Sequence, residues 1–374
     1  MQHEKIKITY ILFQIEKALG FEWVADNINK DKFELSIISI GVSENSIFEQ
    51  FCKIRGIEFH RIEYHTKKDI FAATLKTFFL LRKIKPKAVH CHIFEANLIG
   101  LTAALLAGIK MRIYTRHHST YHHSTSPSGV KYDKYCNKIA THIIAISENV
   151  KSVLVNMEGV SPKKAYLVHH GFDLPFFYNI SDDRQKQVQQ KYNPDNRHPV
   201  VGVVSRYTRW KGIIYIINAF IQLLEKYPEA LLVLANAKGE DKEIQDAIKK
   251  LPEKNYVEIV FENDNAALFK MFDVFVHVPI DAEIEAFGQI YIEALAVGVP
   301  CVFTLSGVSR EFVKDGENAL VVDFHNEEQI YHAVDRILED ADLRNKLVEN
   351  GKKSIEKNFS LQLFIEKLET IYSL

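Results

Sequence analysis

Apolar residues fall along this chain in short runs separated by longer stretches of helical spacing. KIKITYILF (5–13) leads into a helical pattern through IEKALGFEWVADNI (15–28), and FELSIISIG (33–41) follows as a second run. Further runs stand at KAVHCH (87–92), MRIYTRH (111–117), HIIAIS (142–147) and KAYLVHHG (164–171). Such runs, β-rich and apolar on both faces, predict strands of a parallel sheet covered by helices. The polar segment SDDRQKQVQQKYNPDNRHP (181–199) predicts a linker. After it the cycle restarts at VVGVVSRY (200–207), a helix from Lys211, ALLVLANA (230–237), YVEIVF (256–261) and VFVHVP (274–279). The expected fold is therefore α/β, with two Rossmann-like doubly wound parallel sheets, 1–185 and 195–359, facing across a cleft. The last stretch carries Leu363, Ile365, Leu368 and Ile371 at helical spacing, so 360–374 is expected to pack back on the first domain.

Length and composition fit that picture. The 374 residues suit two domains, and 47% hydrophobic with 25% charged residues excludes a disordered or fibrous chain. A net charge of −1 argues against nucleic acid as a partner. Cys52, Cys91, Cys136 and Cys301 form no CxxC pair, and with no leader-like start they read as reduced thiols of a cytoplasmic protein. No apolar run is long enough to span a bilayer; LIGLTAALLAG (98–108) reads as a buried helix. In KKDIFAATLKTFFLLRKIKPK (67–87), Lys68, Lys76 and Lys83 share a helical face with Ala72 and Phe79, while Phe71, Leu75 and Phe78 form another. That basic face is either solvated or a peripheral contact with anionic lipid on the inner face of the membrane.

Two segments carry candidate chemistry. In EAFGQIYIEALAVGVP a helix is expected from Gln289 to Gly298, with Pro300 beyond it. Helical side chains tilt toward the helix start, so Glu293 can lean toward the cleft while Glu285 and the amides of Phe287 and Gly288 line its mouth. The plain alternative is two solvated acids near a helix start. In SRYTRWKG, Arg206 ends a strand and Lys211 opens the helix bearing Ile213, Ile217, Phe220 and Leu224. A guanidinium fork and an ammonium beside a helix start suit a diphosphate.

With SRYTRWKGIIYIINAF, FDVFVHVPIDAEIEAFGQIYIEALAVGVPCVFT, GVSREFVKDGENALVV and, earlier, VHCH, AISENV and HHGFD on the page, the chain resembles the retaining GT-B glycosyltransferases of family four, also called group 1. The resemblance covers nearly the whole chain and is most specific in the second half. It implies that Arg206 and Lys211 hold the diphosphate of a UDP- or GDP-sugar and that Glu293 bonds the ribose. It further implies that Glu285, with the Ala286, Phe287 and Gly288 backbone, bonds the transferred sugar, and that Ile259 lies by the base. His117 would stand next to the reacting sugar, with His118 as its substitute, and Arg206, Lys211 and Glu285 would share in catalysis. The acceptor would be a glycan or lipid-linked hydroxyl of surface polysaccharide or glycolipid assembly.

The chain departs from the family where many members carry a Gly-Gly loop after the first strand; here FQIEKALGFEW offers only Gly20, on the acceptor side. The histidines of TRHHSTYHH, with His90, His92, His169 and His170, raise zinc as an alternative, but no acid or thiolate stands at a recognisable spacing. The one DxD, Asp340-Ala341-Asp342, reads as a helix-capping turn, so no metal and no cofactor is expected. Two other classes stay open: a nucleotide-sugar epimerase or hydrolase, which would need no acceptor, and a non-catalytic two-lobe binding protein, which has no use for the paired cations and glutamates.

Overall fold

The computed structural model describes residues 5–42 and 44–374, which divide into two compact units. Unit 1 comprises the described residues up to 172 together with 361–374, and unit 2 comprises 173–360. Unit 1 is built on seven parallel strands: β1 (Ile6–Phe13), β2 (Phe33–Ile40), β3 (Glu58–Ile62), β4 (Ala88–His92), β5 (Met111–Arg116), β6 (His142–Ala145) and β7 (Ala165–Leu167). Their order is β3-β2-β1-β4-β5-β6-β7. Unit 2 repeats the plan with β8 (Val200–Val204), β9 (Leu231–Ala235), β10 (Tyr256–Ile259), β11 (Val274–His277), β12 (Cys301–Phe303) and β13 (Leu320–Val321), ordered β10-β9-β8-β11-β12-β13. Each sheet therefore has a point where the order reverses, between β1 and β4 and between β8 and β11. Loops leaving neighbouring strands there diverge and open a crevice.

Three strands were not apparent from the pattern. β3 is an edge strand of mixed polarity, and β12 and β13 are too short to show any period.

The expected linker is structured and belongs to unit 2. Ser181 caps a helix, Asp182–Tyr192, by accepting from the Arg184 amide. Arg184 then forks onto both oxygens of Asp264 at 2.7 Å, and Lys191 and Tyr192 meet Glu262 at 2.9 and 2.6 Å. Its polar composition had suggested a spacer, but these are the partners of a docked helix. The boundary consequently lies between Phe172 and Asp173 rather than near residue 190.

The helix Leu361–Tyr372 belongs to unit 1. Ile365, Leu368, Ile371 and Tyr372 join the core of Tyr10, Val24, Phe33 and Phe48, while Leu363 is only half-buried. Asp340 caps the helix Ala341–Phe359 by accepting from the Leu343 amide at 2.8 Å.

Candidate active site

The reversal point of the second sheet is where most of the expected residues converge. β8 continues through Ser205, whose amide donates to the Ala235 carbonyl, into a loop of alternating exposure. Tyr207 is buried and donates to Glu258 at 2.6 Å, which leaves Arg206 on the exposed side, with no acidic partner among the described residues. The loop closes on Gly212 at φ +71°, where a Cβ would lie 2.0 Å from the Val278 carbonyl oxygen. Only glycine allows that close approach of the β8 and β11 loops. The Ile280 amide donates to the Trp210 carbonyl across the same gap.

The loop after β11 is braced from the β12 side. Thr304 and Ser306 hydroxyls donate to the Pro279 and Asp281 carbonyls at 2.7 and 2.6 Å, and the Gly307 and Val308 amides donate to the Ala282 and Phe287 carbonyls. This brings Glu285, buried, against Lys211: the ammonium donates to Glu285 Oε1 and sits 4.3 Å over the Trp210 ring. His277, the last residue of β11, places Nε2 3.3 Å from the same oxygen and packs edge-on against Tyr291. Burial pushes the Glu285 carboxyl up, but His277 and Lys211 outweigh it and hold the group at about 2. Burial lowers the His277 imidazole, with the Lys211 charge adding to it, against the raising effect of Glu285.

The helix Gln289–Val297 starts from Gly288 at φ +86°. Its first amides have no partner within the helix, a favourable setting for an anion. Phe287 is buried against Phe359, so only its backbone can face a ligand. Ala286 is half-buried. Glu293 is half-buried with no hydrogen bond or ion pair among the described residues, and burial pushes its carboxyl up to about 7.

Two expected residues sit differently. The Ile259 side chain is in the core and its carbonyl accepts from Ala237, so what β10 exposes at its end is Val260 and Phe261. Gly20 occupies the first turn of the helix Leu19–Asn27, with open space where a Cβ would stand; nothing there requires glycine.

In unit 1 the histidines form two groups. His92 Nδ1 and His117 Nε2 share a hydrogen bond of 3.1 Å, and His170 stacks on His117. Burial first, then the neighbouring imidazoles, hold His92 and His117 well below the usual histidine range, so both are neutral. His118 belongs to the second group: its Nε2 lies 3.1 Å and His122 Nδ1 2.6 Å from Asp133 Oδ2. These three are a set that could hold a metal, their donor atoms lying within 4.8 Å of one another. Asp133 is the acid that spacing had not revealed. Its other oxygen, however, is 3.1 Å from Nη1 of the fully buried Arg116, which also pairs with Glu158 at 2.6 Å. A fixed guanidinium at that range opposes a cation, and the arrangement is a satisfied ion-pair network.

Sequence reading missed His277 altogether. Its signal was a single polar residue inside the apolar run VFVHVP.

A cationic loop and a helix start converge at the reversal point of a doubly wound sheet, the place where α/β folds of this class hold their ligands. Residues 184–354 match the family described as glycosyl transferases group 1, and residues 24–176 match Glycosyltransferase Family 4. The chain belongs to the family-4-type GT-B glycosyltransferases. Similar proteins include the capsular polysaccharide biosynthesis glycosyltransferase CapM of Staphylococcus aureus, 28% identical over 308 residues, 80% of each chain. Another is alpha-monoglucosyldiacylglycerol synthase of Acholeplasma laidlawii, 25% identical over 312 residues, 78% of this chain and 76% of the synthase. Among solved structures, HepE of Anabaena in complex with UDP-glucose has a TM-score of 0.80 at 21% identity, covering 98% of this chain and 100% of that one.

Proposed function

We propose that this glycosyltransferase moves a sugar from a UDP- or GDP-sugar to a hydroxyl of a glycan or lipid-linked acceptor, with retention and without a metal or cofactor. The observation that carries the reading is the convergence of Arg206, Lys211 and Glu285 at one reversal point. The similarity to CapM, a capsular polysaccharide biosynthesis glycosyltransferase, and to alpha-monoglucosyldiacylglycerol synthase supports surface polysaccharide or glycolipid as the product class.

When the sugar–phosphate bond breaks, negative charge collects on the diphosphate. Arg206, exposed and without an acidic partner among the described residues, and Lys211, held by Glu285, are assigned to that charge, so each acts on turnover as well as binding. The departing phosphate oxygen takes the acceptor proton on the face the sugar leaves. Glu285, ionised, accepts from sugar hydroxyls, aided by the Ala286, Phe287 and Gly288 backbone; Glu293 accepts from the ribose. His117, neutral, suits a hydrogen bond to a sugar hydroxyl rather than a charge.

The test is a thermal-shift panel of UDP, GDP, ADP and their sugars in EDTA, followed by transfer with the stabilising donor. Selective stabilisation and acceptor-dependent release of nucleotide are expected. Release of equal rate without acceptor would make the chain a hydrolase, and restoration by zinc after EDTA inactivation would end the metal-free reading.

A further inference from the structure

The helix Ile70–Ile84 buries its small residues and exposes its large ones. Ala73, Thr77 and Leu81 face the protein, whereas Phe71, Leu75 and Phe79 stand 80%, 46% and 61% exposed. Phe78, expected beside Phe71 and Leu75, is instead half-buried, and Phe79 takes its place in the outer stripe. Spaced four apart, the three form one ridge that runs on into Arg82 and Lys83. The neighbouring helix Phe94–Leu106 ends in Leu105 and Leu106, also exposed.

Charge is concentrated on the same surface. Residues 67–87 hold seven lysines and arginines and one acid, in a chain whose net charge is −1. That acid, Asp69, accepts from the His65 and Thr66 amides at 2.9 and 2.8 Å. Where the helix ends, a cavity of about 700 Å³ opens, lined by Arg82, Lys85, Lys87 and Lys110 over an apolar floor that includes Leu81 and Ile109. Leu374 also lines it but no acidic side chain does, and none of the four cations forms an ion pair among the described residues. The cavity stands at the amino ends of β4 and β5, the opposite end of the sheet from His92 and His117.

The occupant must therefore offer dense negative charge and an apolar layer behind it. A second copy would bring the same positive charge against this one, and a nucleic acid has no layer to receive Phe71 and Phe79. We propose that this face docks on an anionic lipid bilayer, the Phe71–Leu75–Phe79 ridge entering the acyl boundary and a headgroup phosphate seating among Arg82, Lys85, Lys87 and Lys110. The contact is peripheral: among the described residues no helix is long and apolar enough to cross a membrane. It does not rest on the donor-site assignments, since lipid binding is read without any transfer.

The experiment is co-sedimentation of the full chain with vesicles of phosphatidylcholine alone and of phosphatidylcholine mixed with phosphatidylglycerol, across a salt series. Binding is expected only with the anionic lipid, weakening as salt rises. The pairs Phe71→Ser/Phe79→Ser and Arg82→Gln/Lys85→Gln, checked for fold by circular dichroism, should each lower the partition coefficient at least about tenfold. Soluble glycerol phosphate should leave binding in place, because it lacks the acyl layer. Failure to bind anionic vesicles, or binding untouched by both pairs, would overturn the proposal. So would a dimer that Phe71→Ser/Phe79→Ser dissociates in the absence of lipid.

Discussion

Arg206 and Lys211 carry the same charge a few residues apart, yet their surroundings separate what their loss would do. Arg206 is exposed, so Arg206→Ala should change stability by no more than about 0.5 kcal/mol. Lys211→Ala removes the ammonium that pairs with a buried carboxylate, which should cost about 3 kcal/mol. Both should lower turnover at least about a hundredfold, because both are assigned to charge that grows in the transition state. Urea unfolding beside a transfer assay separates the two effects; equal stability in the two variants would mean that the Lys211–Glu285 pair is not formed in solution. Glu293 yields a prediction of opposite sign. Its folded pKa of about 7 lies above the unfolded value of 4.5, so the protein favours the protonated form. That favourable contribution is complete below about pH 4.5 and is lost as pH rises through 7, by at most about 3 kcal/mol. Glu293→Gln should therefore raise the melting temperature at pH 8, leave it little changed at pH 5, and weaken nucleotide binding. A melting curve series across pH decides it: a variant no more stable than the parent at pH 8 would remove the buried-carboxyl account. Lys211 and Glu285 were legible as candidates because cation and acid stood beside a strand end and a helix start. That they pair, with His277 as a third member, was not: they lie 74 residues apart, and only the sheet order brings their strand ends together.

At the scale of elements, patterning located the long buried strands because apolar runs bounded by turn residues leave little choice of structure. It failed where the pattern was short, as in β12 and β13, or where polarity misled, as in the helix Asp182–Tyr192, whose charges are spent on Asp264 and Glu262. The helix Ile70–Ile84 shows another limit, since spacing reveals an apolar face but not which face meets the protein. The site depends on one junction of elements in particular, where the β8 and β11 loops touch at Gly212. Gly212→Ala must accommodate both a left-handed φ and a Cβ against the Val278 carbonyl. Strain and clash together should cost about 2–4 kcal/mol. The loops would have to part, shifting Lys211 relative to Glu285. Nucleotide affinity should fall together with the chemical-denaturation midpoint, and a variant of parental stability would show that the loops do not approach this closely.

For the whole molecule, the chain order and the packing order differ. The last helix returns to unit 1, where Ile365, Leu368, Ile371 and Tyr372 complete the core and Tyr372 hydrogen-bonds to His90 Nδ1 at 2.7 Å. Burying four such side chains is worth on the order of 6–12 kcal/mol, about the entire net stability of an ordinary domain. Unit 2, by contrast, is one continuous segment containing both sides of the candidate donor site. Residues 173–360 expressed alone should therefore fold cooperatively and keep their nucleotide-induced thermal shift. The chain ending at residue 360 should lose the unfolding transition of unit 1 while retaining that of unit 2, since removal of the helix takes the Tyr372 hydroxyl away from Tyr10 and from His90 Nδ1 in an opened core. Calorimetry of the full chain and both truncations reads this directly. An intact unit 1 transition in the chain without the helix would show that the returning segment is an ornament on a core that closes without it.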